Sequence, residues 1–343
     1  MRLQAPKFWF TSHKGFFAFL LWPLTFLYRV ARAVHQYVQM RKIPLHGIPR
    51  PVVCVGNSVV GGAGKTPLVT YLAQLLDKQN IPFALISRGY GGYLRDATRV
   101  NPERHMNSDV GDEPLLLAHV GPTWVGVNRN ASCLAAVRDG AEVLLLDDGL
   151  QNASVPRDFS LLVVDGQQGF GNGLTLPAGP LRETISESIR KIDAVVIIGD
   201  DKHKSRELTE HIQKHVHHEF PIFKGFLNPV EDSLLRMKGR KLFAFAGIGY
   251  PEKFFSLLQK NGGDVVAQEK YPDHYAYTMK DIDHLLFLAS KHHATLITTL
   301  KDWVRLPPHI QQKVLYFEVT FKPNDPAFFN RFVMGRIETL MMA

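Results

Sequence analysis

Residues 51–73 contain a strand pattern, a glycine-rich turn and a helix pattern in immediate succession, and no other feature restricts the fold as strongly. Residues 51–57 predict a short buried strand, and residues 67–73 have the spacing of a helix. The turn and the first helical residues read Gly61, Gly62, Ala63, Gly64, Lys65, Thr66 and Pro67. Glycines let backbone N–H groups converge on a phosphate, and a helix N-terminus adds its positive dipole. The succession predicts an α/β domain that binds a nucleoside triphosphate.

Lys65 and Thr66 give this turn its chemistry. In a phosphate-binding loop the lysine reaches the β- and γ-phosphates, and the hydroxyl of the next residue ligates Mg²⁺. The loop departs from the general consensus, because Val59 stands where glycine is usual and Val60 stands where one variant carries an additional lysine. The alternative is a glycine-rich turn that ends in Lys-Thr by chance. The strand before the turn and the helix after it disfavour that alternative.

Composition limits the partners and the compartment. A chain of 343 residues is long enough for two domains. Its two cysteines, Cys54 and Cys133, form no metal-binding or disulfide pattern, and Cys54 lies in an apolar stretch, which predicts a buried thiol in a reducing compartment. The net charge of +8 predicts an anionic partner, such as an anionic lipid or a phosphorylated substrate. No nucleic-acid-binding signature is present, so we expect no nucleic-acid partner.

The amino-terminal segment, residues 1–42, is aromatic and basic. Its apolar run, residues 15–28, is shorter than the roughly twenty residues that cross a bilayer. Lys7 and Lys14 precede this run, and Arg29, Arg32, Arg41 and Lys42 follow it. Aromatic surface beside cations favours the membrane interface. A core helix of a soluble domain is the alternative, and a signal peptide is disfavoured because no small-residue cleavage site follows the run. We predict a monotopic helix on the cytoplasmic face, where ATP is available.

Further apolar stretches predict the rest of the first domain. Strands are expected at residues 82–87, 142–146, 159–165 and 194–199. Their alternation with helices predicts a parallel sheet that is covered on both faces. The stretch 142–146 ends in Asp147 and Asp148, an arrangement that places a carboxylate beside Mg²⁺ in phosphate-loop proteins. Asp112 and Glu113 open a helical run, and capping of that helix and chemistry remain equally open from spacing alone.

A second α/β unit follows residue 220. Strands are expected at residues 241–246, 264–266 and 295–299, with helices at residues 251–260 and 279–291 between them. A glycine turn, Gly247-Ile248-Gly249, follows the first of these strands. No lysine and threonine follow that turn, so the unit has no phosphate loop.

Six stretches together resemble the tetraacyldisaccharide 4′-kinase family of lipid A biosynthesis. They are residues 55–67, 87–91, 110–114, 147–151, 176–183 and 272–275, and they occur in the family's order. The unusual loop with Val59 and the aromatic, basic N-terminus are similar to the family as well. Two positions depart from its pattern: Asn152 stands where histidine is frequent, and Leu300 stands where glutamate is expected. The local roles of these two positions stay open.

The resemblance implies a fold and an activity. The fold would consist of two α/β/α domains, a P-loop NTPase-like domain over residues 43–219 and a β-linker with a smaller domain over residues 220–343. The nucleotide site would lie between them. The activity would be ATP-dependent phosphorylation of the 4′-hydroxyl of a tetraacyldisaccharide 1-phosphate, which gives lipid IVA at the bacterial inner membrane.

The resemblance also implies roles for particular residues. Asp112 would be the catalytic base and His274 its partner, with Lys65 and Arg182 stabilising the transferring phosphoryl group. Mg²⁺ would be held or oriented by Thr66, Glu113, Asp147 and Asp148. The positions that match substrate contacts at strand ends are Asn57, Arg88, Tyr90 and Arg129. For these four, an ordinary role in loop structure is the alternative.

Two other functional classes are alternatives to the lipid kinase. The first is a P-loop GTPase or ATPase that acts on a protein partner, but the guanine-reading Asn/Thr-Lys-x-Asp spacing is absent, because Lys301 falls one place late. The second is a non-catalytic membrane-binding module, which would leave Asp112, Asp148 and Arg182 without a role.

Overall fold

The computed structural model describes residues 6–11, 15–41, 47–199, 201–216 and 220–343. Lys14, Lys42 and the predicted boundary at residue 42 lie outside the described residues. The chain forms two compact units: a larger one that extends to Leu227 and includes Phe321–Ala343, and a smaller one, Asn228–Thr320.

The larger unit begins with a short 3₁₀ helix, Lys7–Phe10, and a long helix, α1. Its helices are α1 (Phe16–Met40), α2 (Lys65–Lys78), α3 (Asn107–Val110), α4 (Asp112–Ala118), α5 (Arg129–Arg138), α6 (Ile185–Ile189), α7 (Lys202–Gln213) and the last helix of the chain, α13 (Pro326–Met342). Its strands are β1 (Val52–Gly56), β2 (Phe83–Ser87), β3 (Thr98–Arg99), β4 (Thr123–Val125), β5 (Val143–Asp147), β6 (Phe159–Asp165) and β7 (Ala194–Ile198). Two strands, β8 (Ile222–Pro229) and β13 (Val319–Pro323), contain the points where the chain passes from one unit to the other.

Among the described residues, nine strands form one sheet in the order β13-β8-β7-β6-β1-β5-β2-β4-β3. The strands from β8 to β4 in this order pair in parallel, and β3 pairs antiparallel with β4. All five residues of β1 are buried, with alternate side chains on opposite faces: Val53 and Val55 pack under α2 and α13, whereas Val52 and Cys54 pack on the other face. The parallel α/β fold predicted from the apolar strands is confirmed.

Burial accounts for the state of the thiols. Cys54 and Cys133 are both free and fully buried. Removal from water disfavours the thiolate, which raises the pKa of each thiol to about 12. The predicted buried thiol at Cys54 is confirmed.

The last helix, α13, packs on the larger unit. Phe329, Val333 and Ile337 are fully buried in the same core cluster as Val53 and Leu68. The sequence placed residues 220–343 together as a β-linker and a smaller domain, whereas residues 220–227 and Phe321–Ala343 belong to the larger unit. The physical reason is long-range packing, because the apolar stripe of α13 completes one face of the larger sheet.

The smaller unit has a separate sheet and separate cores. Its helices are α8 (Glu231–Met237), α9 (Pro251–Lys260), α10 (Met279–Lys291), α11 (Leu300–Trp303) and α12 (Pro308–Gln311), and its strands are β9 (Lys241–Ala246), β10 (Asp264–Lys270), β11 (Thr295–Thr299) and β12 (Leu315–Phe317). In the described chain these four strands form a parallel sheet in the order β10-β9-β11-β12. The expected β-α-β-α-β succession is present, with β10 longer than expected.

Helix α1 is longer than the apolar run that predicts it. Its 25 residues continue through Val30, Val34 and Val38 to Met40, which makes it long and apolar enough to cross a membrane by length and composition. The apolar run of residues 15–28 is therefore only part of a longer helix, because apolar residues recur between the basic ones after residue 28. Only 11% of the most apolar window of α1 is buried, which is unlike a core helix of a soluble domain.

Candidate active site

The glycine-rich turn lies at the carboxyl end of the central strand β1 and leads directly into α2. Gly61 and Gly64 have φ angles of +119° and +90°, which side-chain-bearing residues rarely adopt. Lys65 is the first residue of α2, a helix of 14 residues. The first N–H groups of a helix have no intrahelical partner, so this turn presents donors and a positive dipole to an anion.

Lys65 and Asn57 form hydrogen bonds that connect the two ends of the glycine-rich turn. The Lys65 ammonium group donates to Asn57 Oδ1 at 3.2 Å, and Asn57 Nδ2 donates to the Gly61 carbonyl at 3.2 Å. Asn57 is only 1% exposed. The structure thus places Asn57 beneath the loop, where its amide fixes the backbone and the lysine.

Asp147 ends β5, the strand beside β1. The Thr66 hydroxyl donates to Asp147 Oδ2 at 3.4 Å, and among the described residues Asp147 Oδ1 is buried without a hydrogen-bond partner. Burial raises the pKa of Asp147 to about 6, against the opposing effect of the Lys65 charge. A buried carboxylate oxygen of this kind, close to a threonine hydroxyl, is available to a cation.

Asp148 has the opposite electrostatic surroundings. Its φ of +53° is a left-handed conformation that aspartate tolerates, and its carboxylate accepts two hydrogen bonds of 3.1 Å from Arg182 Nη1. Lys65 Nζ lies 3.7 Å from Asp148 Oδ1. Burial alone would raise the pKa of Asp148, but Lys65 and Arg182 outweigh it and hold that pKa well below its usual range. Asp148 is therefore ionised and already paired with two cations.

Gln151 belongs to this cluster and was not singled out from the sequence. Its Nε2 donates to the Asn57 carbonyl at 2.8 Å, and its Oε1 accepts from Arg182 Nη1 at 3.0 Å. The available signal was its membership of the Asp-Asp-Gly-Leu-Gln stretch, residues 147–151. Asn152, one of the two departing positions, accepts from the Ser154 N–H at 2.8 Å and so shapes the following turn.

The segment that carries Arg182 pairs with the phosphate loop. The Val60 N–H donates to the Pro180 carbonyl at 2.9 Å, and the Arg182 N–H donates to the Ser58 carbonyl at 2.7 Å. Val59 and Leu181 form the antiparallel bridge between these two bonds. The loop and the arginine are thus one hydrogen-bonded assembly.

Asp112 and Glu113 form the first turn of α4, at the edge of the same site. Asp112 is 7% exposed, and the charge of Glu113 is near enough to Asp147 to contribute to its raised pKa. Gly111, just before them, has a φ of +90°, and a Cβ atom there would collide with the Tyr90 carbonyl. This close approach keeps the turn after β2 against the start of α4.

The remaining predicted substrate contacts differ in exposure. Arg129 is 4% exposed, its pKa is lowered by burial, and its Nη1 donates to the Asp148 carbonyl at 3.0 Å. Tyr90 is 58% exposed in the turn after β2. Arg88, also after β2, is near enough to lower the pKa of Arg129 further. Arg129 is therefore buried and bonded to the backbone after β5, whereas the Tyr90 side chain is largely exposed.

His274 lies in the smaller unit, in a left-handed conformation with a φ of +57°. Its N–H donates to the Gly247 carbonyl at 3.1 Å. Its ring is approached by two cations, Lys301 Nζ at 3.2 Å from Nε2 and Arg305 Nη2 at 3.4 Å from Nδ1. Lys301 and Arg305 were not assigned a role beside His274 from the sequence, because they are 27 and 31 residues away along the chain.

Comparison with known proteins agrees with this geometry. The family model described as tetraacyldisaccharide-1-P 4′-kinase matches residues 17–338. The tetraacyldisaccharide 4′-kinase of Rhodospirillum rubrum is 42% identical over 340 residues, which cover 98% of this chain and 99% of that protein. The corresponding protein of Rhodospirillum centenum is 39% identical over 336 residues, which cover 96% of this chain and 95% of the relative.

A solved structure shows the same fold. The LpxK of Aquifex aeolicus, determined in complex with ATP, superposes with a TM-score of 0.71 at 26% identity, covering 93% of this chain and 99% of that one. The family match extends over nearly the whole sequence and includes the loop, both aspartates and the Arg182 segment. The chain therefore belongs to the tetraacyldisaccharide-1-P 4′-kinase family.

Proposed function

We propose that this protein transfers the γ-phosphoryl group of ATP to the 4′-hydroxyl of a tetraacyldisaccharide 1-phosphate, giving lipid IVA. The observation that carries the proposal is the assembly at the end of β1, in which Lys65 and Thr66 meet Asp147, Asp148 and Arg182. The family match and the ATP complex of the Aquifex aeolicus relative support the choice of reaction and of nucleotide.

The phosphate loop holds the triphosphate. Backbone N–H groups of residues 61–66 surround the β-phosphate, and Lys65 reaches the β- and γ-phosphates from the start of α2. Arg182 lies beside Lys65 on the same carboxylate and stabilises the charge that develops on the transferring phosphoryl group. Its bonds to Asp148 and Gln151 fix the guanidinium group in advance, which avoids reorganisation during the reaction.

Thr66 and Asp147 fit a magnesium site. The fit rests on the buried Asp147 Oδ1, which lacks a hydrogen-bond partner among the described residues, and on the adjacent Thr66 hydroxyl. Oxygen donors of this type suit Mg²⁺, which keeps several waters and one or two carboxylates. Glu113 and Asp148 are the other carboxylates near Asp147. Asp148 is already paired with Lys65 and Arg182, so it would orient the site through these two cations. Mg²⁺, when bound, neutralises charge on the β- and γ-phosphate oxygens.

Asp112 acts as the general base, together with His274. As the 4′-oxygen attacks the γ-phosphorus, its proton passes to the Asp112 carboxylate, and the bond to the β,γ-bridging oxygen breaks to release ADP. The support is the match of Asp112 and His274 to the family's positions and the buried setting of Asp112 at the start of α4. Lys301 and Arg305 hold the His274 ring in a fixed orientation.

The predicted substrate contacts divide into two kinds. We assign direct contact with the sugar or its phosphate to Arg88 and Tyr90, which follow β2 at the edge where ligands bind in parallel sheets. Asn57 and Arg129 are both buried, and they act by support: Asn57 bonds the Gly61 carbonyl of the loop, and Arg129 bonds the Asp148 carbonyl after β5.

Helix α1 attaches the protein to the cytoplasmic face of the inner membrane without crossing it. Phe16, Phe19, Trp22 and Phe26 are 75%, 77%, 58% and 68% exposed, which gives α1 an aromatic surface suited to the lipid interface. The same helix is bonded to the larger unit by Tyr28, Arg32 and Gln39. Because those polar contacts occupy its carboxyl half, that half is not available to span a bilayer.

Transfer of labelled phosphate from ATP to the lipid disaccharide in detergent micelles tests the activity. We expect Mg²⁺-dependent labelling of the lipid and no labelling of a substrate analogue that lacks the 4′-hydroxyl. ATP hydrolysis without lipid labelling, or a preference for GTP, would instead favour a P-loop GTPase or ATPase that acts on a protein.

Vesicle co-sedimentation tests the membrane assignment. Phe19→Asp combined with Phe26→Asp should lower partitioning to anionic vesicles while ATP affinity stays within about twofold, because these rings make no phosphate contact. Phe287→Asp is the matched control, since Phe287 is 66% exposed on α10 of the smaller unit. Equal partitioning of the two variants would contradict the assignment.

A further inference from the structure

One side of α1 is bonded to the residues that surround Arg182. The Tyr28 hydroxyl donates to the Arg182 carbonyl at 3.0 Å. One turn further along α1, Arg32 donates to Glu183 Oε2 at 2.7 Å and to Glu187 Oε1 at 2.8 Å. The helix that carries the exposed aromatic surface thus contacts the backbone of the active-site arginine itself.

Glu183 is the centre of this contact. Its side chain is 1% exposed and accepts from Arg32, from the Ser188 hydroxyl at 3.2 Å and from Lys191 at 2.6 Å. The Arg32 side chain is 12% exposed. A buried carboxylate requires such partners, because removal of one of them leaves charge without compensation in a low-dielectric setting. The contact therefore has a defined geometry and is not a loose association between two surfaces.

Three further hydrogen bonds join the amino-terminal segment to the larger unit. Trp9 Nε1 donates to the Pro177 carbonyl at 3.1 Å, and the Asn172 N–H donates to the Trp9 carbonyl at 2.7 Å. Gln39 Oε1 accepts from the Ala153 N–H at 2.9 Å. The amino-terminal segment is thus bonded to residues 172–183, which include Arg182, and to the turn after Gln151.

The far side of the Arg182 stretch is bonded to the phosphate loop. Residues 180–182 pair with residues 58–60, and the Arg182 guanidinium group binds Asp148. The stretch therefore lies between α1 and the loop, with hydrogen bonds on both sides. A change in the position of α1 reaches the guanidinium group through a single residue.

We propose that Tyr28 and Arg32 are positioning residues for phosphoryl transfer: by fixing the Arg182 carbonyl and the Glu183 carboxylate, they hold Arg182 against Asp148 and the phosphate loop. Because the opposite surface of α1 is the membrane-facing one, the contact links the seating of the enzyme on lipid to the geometry of its active site. This inference rests on the proposed function for its catalytic consequence, but the positioning itself is measurable without any reaction.

Hydrogen exchange of the full-length protein measures the positioning directly. In Arg32→Ala, we expect the backbone amides of Val60 and Arg182 to exchange at least about tenfold faster than in the wild type, because the stretch that they join is less restrained. Arg41→Ala is the matched control: Arg41 is exposed at the carboxyl end of α1 and bonds Tyr37, so its removal takes away a similar charge but no contact with Glu183. Unchanged exchange in Arg32→Ala would overturn the proposal.

Kinetics measure the consequence for the reaction. For Arg32→Ala we expect kcat to fall by about tenfold to a hundredfold, as for small displacements of catalytic groups, with the KM for ATP and vesicle partitioning within about twofold. Arg32→Lys should recover part of kcat, since it keeps one ion pair. Tyr28→Phe, which removes a single hydroxyl, should lower kcat by about threefold to tenfold.

A double-mutant cycle separates positioning from a general loss of structure. In an Arg182→Ala background, Arg32→Ala should cost much less than it does alone, because both changes affect the same group. Additive losses, or faster exchange with an unchanged kcat, would overturn the proposal. If the wild type transfers no phosphate to lipid, the proposed function fails, while the exchange experiment still decides whether α1 holds the Arg182 stretch.

Discussion

Two strand–turn–helix segments in this protein look alike and do different chemistry. In the larger unit β1 leads through a glycine-rich turn into α2, and in the smaller unit β9 leads through Gly247-Ile248-Gly249 into α9. Both strands lie inside a parallel sheet, and both helices begin just after the turn. The first turn is followed by Lys65 and Thr66. The second turn is followed by Tyr250 and Pro251, and the backbone nitrogen of proline carries no hydrogen that could be donated.

The surroundings of the two turns differ more than the turns themselves. Beside the phosphate loop, Asp147 keeps a buried oxygen without a hydrogen-bond partner within the described chain. Beside the second turn, the corresponding neighbour strand β11 leads to Asp302, which is bonded by Arg305, Tyr277 and Thr299. Arg305 also donates to the Gly247 carbonyl at 2.9 Å. In the smaller unit, the Arg305 side chain thus bonds both the glycine turn and the acidic residue after the neighbouring strand. In the larger unit, the corresponding position is the predicted nucleotide site.

This comparison predicts that a glycine turn before a helix is not sufficient for phosphate binding. We expect phosphate binding to require N–H groups, an ammonium group and a hydroxyl after the turn, and an acidic residue on the neighbouring strand that is not already bonded. In the smaller unit, Arg305 bonds the Gly247 carbonyl and also approaches the ring of His274, the predicted partner of Asp112. The following predictions test that division of roles.

The largest effect is expected for Asp112→Ala. Loss of a positioned general base should reduce kcat by about 10²–10⁴, with little change in ATP affinity, because Asp112 belongs to α4 and not to the phosphate loop. Steady-state kinetics with separate ATP and lipid titrations measure both quantities. A kcat near the wild-type value with a collapse of ATP affinity would make Asp112 a nucleotide or metal ligand.

The same measurement on His274→Ala tests the contribution of the smaller unit. Because a base and its orienting partner act together, the double variant should lose much less than the product of the two single losses. Multiplicative losses would mean that His274 contributes independently of Asp112.

Each unit has an arginine–aspartate pair, Arg182–Asp148 in the larger unit and Arg305–Asp302 in the smaller one. Breaking these two pairs should have different effects on stability and on kcat. Arg305→Ala removes the partner of a fully buried aspartate, with side-chain exposures of 2% and 0%, and should cost about 3–5 kcal/mol of unfolding free energy. Arg182→Ala affects a pair with exposures of 25% and 34% and should cost about 1 kcal/mol or less while strongly reducing kcat. Denaturant unfolding and kinetics of both variants test the contrast, and equal destabilisation would refute it.

Asp147 should make stability depend on pH in a particular direction. Its pKa is raised from 3.8 to about 6, so the native state holds a proton that the unfolded chain releases between these values. The stabilising effect of that proton is complete below the lower pKa and is lost as the pH rises through the higher one. Without Mg²⁺, Asp147→Asn should gain up to about 3 kcal/mol relative to the wild type between about pH 4 and pH 6. Parallel stability profiles would show that Asp147 does not titrate there.

The smallest effect is expected for transplanting the motif. Tyr250→Lys combined with Pro251→Thr creates the sequence Gly-Lys-Thr after the glycine turn of the smaller unit. In a protein that also carries Lys65→Ala, we expect these two changes not to restore ATP binding. The reason is that Arg305 already occupies the turn and Asp302 is already bonded. Calorimetric titration with ATP measures the outcome, with the wild type as the positive control. Restored binding would mean that the local motif suffices.

Local patterns in the sequence determined which segments form buried strands and where the phosphate loop lies. Strand burial follows from runs of apolar residues, and the phosphate loop follows from glycines, a lysine and a threonine that are adjacent in the chain. The sequence indicated that Lys65, Thr66, Asp147 and Asp148 lie close together, because they follow the ends of two parallel strands, and the structure brings them together. Their roles stay predictions. A helix in the amino-terminal segment was expected from its apolar run, but its full length was not.

Tertiary structure alone decided which distant residues meet. Gln151, the cations around His274, the Arg32–Glu183 ion pair and the return of α13 to the larger sheet all join residues that no local periodicity relates. It also decided electrostatics: Asp147 and Asp148 are neighbours of the same type, yet burial raises the pKa of one and two cations lower that of the other. Sequence determines a pattern along one element, whereas the free energy of a buried charge depends on whatever the fold places around it.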